Sequence, residues 1–384
     1  MNFQLTEEHQ MIRQMARDFA EKELKPGVID RDEKQYFPEE LLRRMGELGF
    51  LGMMVDPEYG GGGMDTVSYV LVMEELSKWD ASASVIVSVQ NSLVNWAIEK
   101  YGTEAQKQQY LPRLAAGEII GSFCLSEPEA GSDATQQKTV ALDKGDHYEL
   151  TGTKNWITNG SISQLYLVMA QTDVEQKHKG INCLIVERDM PGFEVGPKEQ
   201  KMGIRGSDTH TLNFNEIKVP KENRLGDDGM GFKIAMTTLN GGRIGIASQA
   251  LGIASGAFER ALEYAKIRKS FGTEIMNHQA IQFKLAEMAT EVEASRLLCL
   301  KAAHDKDQGR DYVSSAAMAK SYASRTAMMC ASEAIQVHGG NGYVREYHVE
   351  RMLRDAKITE IYEGTTEIQK IVVARNLIKQ GIPA

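Results

Sequence analysis

The sequence predicts an α+β multidomain fold in three consecutive parts. These are an N-terminal α-helical domain over residues 1–118, a middle antiparallel β-domain over 119–228 and a C-terminal four-helix bundle over 229–384. Three observations carry the prediction. A chain of 384 residues exceeds what one ordinary core organises. Apolar residues recur every three or four positions in the first and last thirds, but alternate in between. No long helical pattern interrupts the alternating middle, which disfavours a parallel doubly wound sheet.

Thr6 suits the N-cap of a first helix, with Glu7 and Glu8 in the turn where the helix dipole favours acids. Ile12, Met15, Phe19 and Ala20 fall on one face of it. A second helix is expected from the first-turn proline Pro38 to Gly49, followed by the loop Gly60–Gly63. Helical segments then run to about Gly117, with Gly102-Thr103 as a stop and restart. From Ile119 the segments IIGSFCLS, KTVALD, HYELTG, QLYLVMA, INCLIVE and TLNFNEIKV read as strands bounded by turn clusters. From about Gly231 the pattern is helical again, through Ile244, Ala247, Leu251, Ala254 and Phe258, and later Ile281, Leu285, Met288 and Val292. Gly245, Gly252 and Gly256 weaken that helix intrinsically, which points to close packing against a neighbouring helix or a ligand.

The composition narrows the function. A net charge of −9 argues against nucleic acid or an anionic membrane surface as a general partner. No apolar run approaches the roughly 18 residues of a bilayer-spanning helix. The N-terminus MNFQLTEEHQ carries acids at once and resembles no targeting peptide, so a cytoplasmic or mature matrix-type location is expected. Cys124, Cys183, Cys299 and Cys330 are widely separated, and the eight histidines form no His-Glu-x-x-His pattern, so no metal site is expected. No Gly-x-Gly-x-x-Gly follows a strand, no Gly-Lys dipeptide supports a P-loop, and no Gly-x-Ser-x-Gly elbow is present.

What chemistry there is centres on ITEIYEGTTEIQK, residues 358–370, and within it on Glu363. Between Tyr362 and the flexible Gly364, this carboxylate is expected to be shielded from water, which raises its pKa toward the range of a general base. Most glutamates are solvated surface charges, so its company matters. CLSEPEAGSDA (124–134) crowds turn residues and hydroxyls at the end of a strand. KNWITNG (154–160) sets an aromatic plane among polar groups, RKSFG (268–272) ends a long helix with two cations, and QVHGGNGYVREYHVERMLRDAKI (336–358) places three glycines in four residues between helical stretches. Each taken alone also reads as a capped turn, a half-buried tryptophan, a favourable helix terminus or a tight connection.

Taken together, in this order and leading into IYEGTTEIQ, the four segments resemble the flavin-dependent acyl-CoA dehydrogenase family over essentially the whole chain. The resemblance implies FAD between the β-domain and the C-terminal bundle. Phe123, Leu125, Ser126 and Ser132 would line flavin and acyl-CoA, with Trp156 and Thr158 against the isoalloxazine; Thr365 and Glu367 would also meet FAD. Arg268, Ser270, His278, Gln279, Gln336 and Gly340 would reach FAD across a subunit interface, so a homotetramer arranged as a dimer of dimers is implied. Asn240 to Arg243 would contact the CoA portion, and Ser132 and Gly364 the substrate.

The implied reaction is α,β-dehydrogenation of an acyl-CoA thioester. Glu363 removes the α-proton while the β-hydrogen leaves as hydride to flavin N5, and electrons pass on to an electron-transfer flavoprotein. The thioester oxygen would be held by the Glu363 N–H and a ribityl hydroxyl of FAD. Relatives of the long-chain and isovaleryl types carry the base just before the arginine matching Arg243; here that residue is Gly242. A glutaryl-type enzyme needs a cation, and residues 81–98 contain no Lys or Arg. GGRIGIASQALGIA is most similar to the short-chain (butyryl) branch, while a medium or 2-methyl-branched substrate stays open. Glu129, Gln136, Asn240 and Glu367 depart from the family's usual residues. An oxidase on the same fold and a non-catalytic binding module are the competing readings.

Overall fold

The computed structural model describes residues 4–381. The outermost ends of the expected first and third domains, 1–3 and 382–384, lie outside the described residues. Helix α1 (Glu7–Phe19) starts at Thr6, whose hydroxyl accepts from His9 N while the His9 ring faces the Thr6 N–H. Its buried face is Ile12, Ala16 and Phe19, with Met15 packed alongside. A short helix unmarked in the sequence reading, α2 (Val28–Lys34), precedes α3 (Glu39–Glu47), for which Pro38 is the N-cap. Helix α4 (Thr66–Ser77) is buried on almost every side, which is why its sequence shows no amphipathic stripe.

The next run, α5 (Ala81–Ser88) into α6 (Trp96–Tyr101), is interrupted by a π-helical segment at Val89–Asn95. Three amides anchor this buried segment. Gln90 Nε2 donates to Leu114 O, Asn91 Nδ2 to Phe50 O, and Asn95 Nδ2 to Leu51 O. The segment thereby presents Val89 and Leu93 toward the sheet. Gly102 ends the run and Thr103 restarts it with a capping box to Gln106, opening α7 (Glu104–Ala115).

The strands are β1 (Gly121–Cys124), β2 (Val140–Asp143), β3 (His147–Thr158), β4 (Leu165–Gln171), β5 (Ile181–Glu187), β6 (Phe193–Lys198), β7 (Thr209–Pro220) and β8 (Arg224–Leu225). They form one sheet in the order β6-β7-β3-β2-β4-β5-β8, with β1 alongside β4. Most pairings are antiparallel, as expected, but β1 runs parallel to β4 over Gly121–Cys124 and β2 meets β4 parallel at Val140. Strand β6 alternates too weakly to have been read from the sequence, and β8 is only two residues long. Strand β3 absorbs both HYELTG and KNWIT, with register shifts against β7 between Leu150 and Gly152 and between Lys154 and Ile157.

The C-terminal bundle is α8 (Gly231–Ile267), α9 (Gln279–Asp307), α10 (Val313–His338) and α12 (Thr366–Gln380), with α11 (Val349–Ile358) packed across it. Between α8 and α9 lies the small hairpin β9 (Lys269–Ser270) and β10 (Thr273–Glu274). Alanines dominate the α8–α10 contact, including Ala250, Ala254, Ala257, Ala319, Ala323 and Ala327. The glycines of α8 do what their spacing suggests. A β-carbon on Gly245 would overlap the Tyr69 and Ser88 hydroxyls, and one on Gly252 would overlap Glu74 O of α4. Glu74, fully buried, receives Arg296 Nη2 of α9 at 2.8 Å and Ser255 Oγ of α8 at 3.2 Å, tying the first helices to the bundle.

Candidate active site

A cavity of about 630 Å³ opens where the three regions meet, within the size range of small-molecule and cofactor sites. Helix α5 and its π segment supply Val85, Val89 and Leu93. The end of β1 and the following loop supply Phe123, Leu125, Ser126 and Ser132. Strand β3 supplies Trp156 and Thr158, and the bundle supplies Arg243, Tyr362, Glu363 and Gly364. Nine of the positions singled out from sequence therefore converge on one wall-to-wall space.

Trp156 sits in the β3 bulge with φ 58°, a backbone region that costs a bulky residue free energy. The bulge turns the indole into the cavity and leaves it 57% exposed, rather than half-buried in the core. The loop opposite is fixed from beneath by Lys154, which is fully buried. Its Nζ donates to Leu125 O at 3.1 Å, to Glu127 Oε1 at 2.7 Å and to Gln137 Oε1 at 3.1 Å. Glu127 accepts in turn from Lys138 N and Thr139 N. Both lie in segments singled out from the sequence, but nothing there marked them as a buried pair.

Glu363 follows Tyr362 in the turn between α11 and α12. Its φ is 51° and that of Gly364 is 90°, two consecutive left-handed residues. The reversal turns the carboxyl group inward against α8, where a β-carbon on Gly242 would overlap Oε2 and stand 2.9 Å from the carboxyl carbon. Oε2 is buried and has no hydrogen-bond partner among the described residues. Burial pushes the Glu363 pKa up to about 7, against the opposing pull of the nearby Lys320 and Arg243 charges. Lys320, buried in α10, donates to Gly364 O at 2.8 Å. Gln369 Nε2 donates to Gly364 O at 2.8 Å and to Glu363 O at 3.2 Å. The Glu363 N–H itself has no acceptor among the described residues.

Tyr362, which lines the cavity beside Glu363, is tied to the helices behind it. Tyr362 Oη donates to Gln249 Oε1, and Gln249 Nε2 donates to Ala81 O at 2.8 Å and Ser84 Oγ at 3.1 Å. Tyr69 Oη donates to Ser88 Oγ beside them.

Other expected residues lie elsewhere. Asn240 is off the cavity wall, its Oδ1 accepting from Arg243 Nη1 at 2.7 Å. Thr365 caps α12, accepting from Ile368 N, and with Glu367 it faces a second cavity of about 880 Å³ on the opposite side of that helix. Arg268, Ser270, His278 and Gln279 gather at the β9–β10 hairpin, where Ser270 Oγ and His278 Nε2 share a hydrogen bond of 3.1 Å. Gln336 and Gly340 lie by the turn after α10, joined to the end of α8 through Tyr264. That ring stacks on His338 at 4.2 Å, and its hydroxyl accepts from Asn341 Nδ2. A single chain does not bring these groups to the cavity.

The residues present fit a flavin. A half-exposed aromatic plane faces the space from a strained bulge, and the hydroxyls of Ser126, Ser132 and Thr158 on the same wall make no hydrogen bond among the described residues. Polar groups without partners on an apolar wall are what a polar ring system would engage. Among the described residues no cluster of three or more metal-ligating side chains occurs, and no helix is long and apolar enough to cross a membrane.

Comparison with known proteins agrees along the whole chain. Three family models match: the acyl-CoA dehydrogenase N-terminal domain over residues 6–118, the middle domain over 122–217 and the C-terminal domain over 229–378. The chain is similar to the short-chain-specific acyl-CoA dehydrogenase of Clostridium acetobutylicum, at 48% identity over 99% of this chain and 100% of the relative. It is similar in structure to butyryl-CoA dehydrogenase from Megasphaera elsdenii, with a TM-score of 0.97 and 47% identity, covering 98% of this chain and 100% of the other. A third likeness has a TM-score of 0.98 and 49% identity, covering 99% of this chain and 100% of the other. That chain comes from the solved structure described as "Electron transferring flavoprotein of Acidaminococcus fermentans: Towards a mechanism of flavin-based electron bifurcation".

Proposed function

The chain belongs to the acyl-CoA dehydrogenase family and is an FAD-dependent oxidoreductase; from that premise we propose that it converts short-chain acyl-CoA thioesters to trans-2-enoyl-CoA, with Glu363 as the base. The observation that carries this reading is the Glu363 carboxyl group. Its Oε2 is buried without a partner, burial raises its pKa to about 7, and the side chain lines a cavity that three parts of the chain enclose.

An α-C–H next to a thioester is a weak acid, so an ordinary solvated carboxylate of pKa about 4.3 removes its proton poorly. Burial makes Glu363 a stronger base at neutral pH, and Gly242 leaves room for its carboxyl end. The Glu363 N–H donates to the thioester oxygen as negative charge develops there. Tyr362 and the apolar side chains Val85, Val89 and Leu93 exclude water from the acyl group. Bound FAD supplies the acceptor for the β-hydrogen, leaving as hydride. Phe123, Leu125, Ser126, Ser132, Trp156 and Thr158 would hold the flavin, and Arg243 and Asn240 would orient the CoA portion.

The likeness to short-chain-specific and butyryl-CoA dehydrogenases supports a short acyl chain, and Tyr362 on the cavity wall is held by its bond to Gln249. The Acidaminococcus likeness supports an electron-transfer flavoprotein as the acceptor of the electrons. Arg268, Ser270, His278, Gln279, Gln336 and Gly340, gathered at one end of the bundle, would serve the cofactor of a second copy in a homotetramer.

Anaerobic titration of the purified flavoprotein with acyl-CoAs of increasing length tests the reading. Bleaching of the yellow flavin should be fullest with butyryl-CoA, and Glu363→Gln should keep its FAD but not bleach. Normal bleaching in that variant would refute the base assignment.

A further inference from the structure

Two adjacent residues in left-handed conformation, one of them a glutamate, do not hold themselves in place. Such a backbone persists only where its surroundings over-determine it. Here the surroundings are two buried side chains from different helices. Lys320 on α10 is fully buried, and its side chain's one hydrogen bond among the described residues is to Gly364 O, at 2.8 Å. Gln369, one turn into α12 and also fully buried, donates to that same oxygen at 2.8 Å and to Glu363 O at 3.2 Å. The two carbonyls flanking the turn are thus pinned from beneath by three hydrogen bonds. The carboxyl group is left on the cavity side with none to Oε2.

A buried lysine is costly, because water no longer solvates the ammonium. Satisfying one peptide carbonyl does not require a charge, since Gln369 already reaches it. The charge has another counterpart. Lys320 and Glu363 each perturb the titration of the other, although the structure shows no ion pair between them.

We propose that Lys320, together with Gln369, is a positioning residue for the base: it clamps the Glu363–Gly364 turn from the bundle side and fixes where the carboxylate stands. The proposal rests on Glu363 being the base. The groups facing Glu363 are Lys320 of α10 and Arg243 of α8, with Tyr362 beside it and Tyr69 of α4 within reach of its charge. Those facing Lys320 are Glu363, Arg243, Glu360 and Glu367. Lys320 and Arg243 are the two cations that favour the ionised carboxylate. Lys320 alone of the two also holds the backbone.

The test uses the FAD-loaded enzyme, anaerobic rapid mixing with butyryl-CoA, and the pH dependence of flavin bleaching in Lys320→Met, Lys320→Arg, Gln369→Leu and Glu363→Gln. In Lys320→Met the bleaching rate should fall roughly tenfold to a hundredfold, with half-saturation by butyryl-CoA little changed. The inflection of its pH profile should rise by about one unit, because a favourable cation has gone. Lys320→Arg should bring the inflection back toward wild type. Gln369→Leu should slow bleaching without moving the inflection, since the lost group is neutral. A Lys320→Met enzyme with wild-type rate and inflection overturns the proposal. Should that variant not fold, wild-type bleaching in Gln369→Leu overturns it instead. Bleaching that survives in Glu363→Gln sinks the base assignment itself, a separate result.

Discussion

Glu363 and Gly242 occupy one volume: the carboxyl end of the first fills the place where the second would carry a side chain. The residues are far apart in sequence and belong to different helical layers, so the absence of a β-carbon in α8 is part of the site. Gly242→Ala should push the carboxylate aside at little cost to the fold, because the atoms it meets, Glu363 Oε2 and Leu93 Cδ2, are the ends of flexible side chains. Bleaching by butyryl-CoA should slow roughly tenfold to a hundredfold, with the melting temperature close to wild type. Moving the acid, as Gly242→Glu with Glu363→Gly, should recover part of that activity. A dead swap with intact FAD would show that the shared volume is not enough.

The elevated pKa of Glu363 predicts two pH effects. As the proposed base, Glu363 must be ionised to remove a proton, so bleaching should rise with pH through about 7 and level above it. The stability effect runs the other way. The unfolded chain ionises this group near pH 4.3 and the folded chain near 7, so the folded state holds the extra proton in between. Its contribution is complete below about pH 4.3 and is lost as pH rises through 7. Glu363→Gln escapes that loss and should exceed wild type by up to about 3 kcal/mol at pH 8, the gap closing toward pH 4. Denaturant melts of the two proteins at both ends of this range would measure it.

Lys154 and Glu127 carry the loop that forms one cavity wall. Removing one partner of a buried pair strands the other charge, so Lys154→Met should cost about 3–5 kcal/mol. Replacing both, as Lys154→Met with Glu127→Gln, should return much of it. Thermal melts of Lys154→Met, Glu127→Gln and the double variant would decide, and additive losses would show that the two side chains act separately.

Trp156 pays for its position with a left-handed backbone, and its ring contributes little to the core. Trp156→Ala should therefore weaken FAD retention by about tenfold or more, while leaving the melting temperature of cofactor-free protein nearly unchanged. Flavin absorbance after gel filtration reports the first and calorimetry the second.

Gln249, behind the cavity wall, holds the Tyr362 hydroxyl. Gln249→Ala should open space beneath Tyr362 and raise activity with hexanoyl-CoA relative to butyryl-CoA by at least about tenfold, the scale of added methylenes in an apolar pocket. An unchanged chain-length profile would place the limit on chain length elsewhere.

The helix–strand–helix order was legible because apolar spacing changes visibly at Ile119 and again near Gly231. The glycines of α8 also declared their close contacts in advance. Strand β6 was not legible, since its alternation is weak. At the site, Glu363, Trp156 and the loop from Phe123 to Ser132 were readable as a pattern of motifs. Lys320 was not: a lysine in the run AMAKSYASR looks like any solvated helix cation, and only the docking of α12 against α10 buries it. Gln249, Gln369 and Glu127 lie in stretches that were singled out, yet their roles were hidden for the same reason. Each acts through a partner dozens of positions away or across a turn, and local spacing carries no record of that.

The cavity borrows its enclosure from the helices before the sheet, the sheet itself and the bundle after it, so nothing smaller than the full assembly of layers can retain a guest. Occupancy and folding are then one equilibrium: an occupant present at a hundred times its dissociation constant adds about 2.7 kcal/mol to the cohesion of all three layers at once. A chimaera that exchanges one layer for a distant relative's should be judged by what it can still hold, since mismatched walls would leak their contents before the exchanged layer itself came undone.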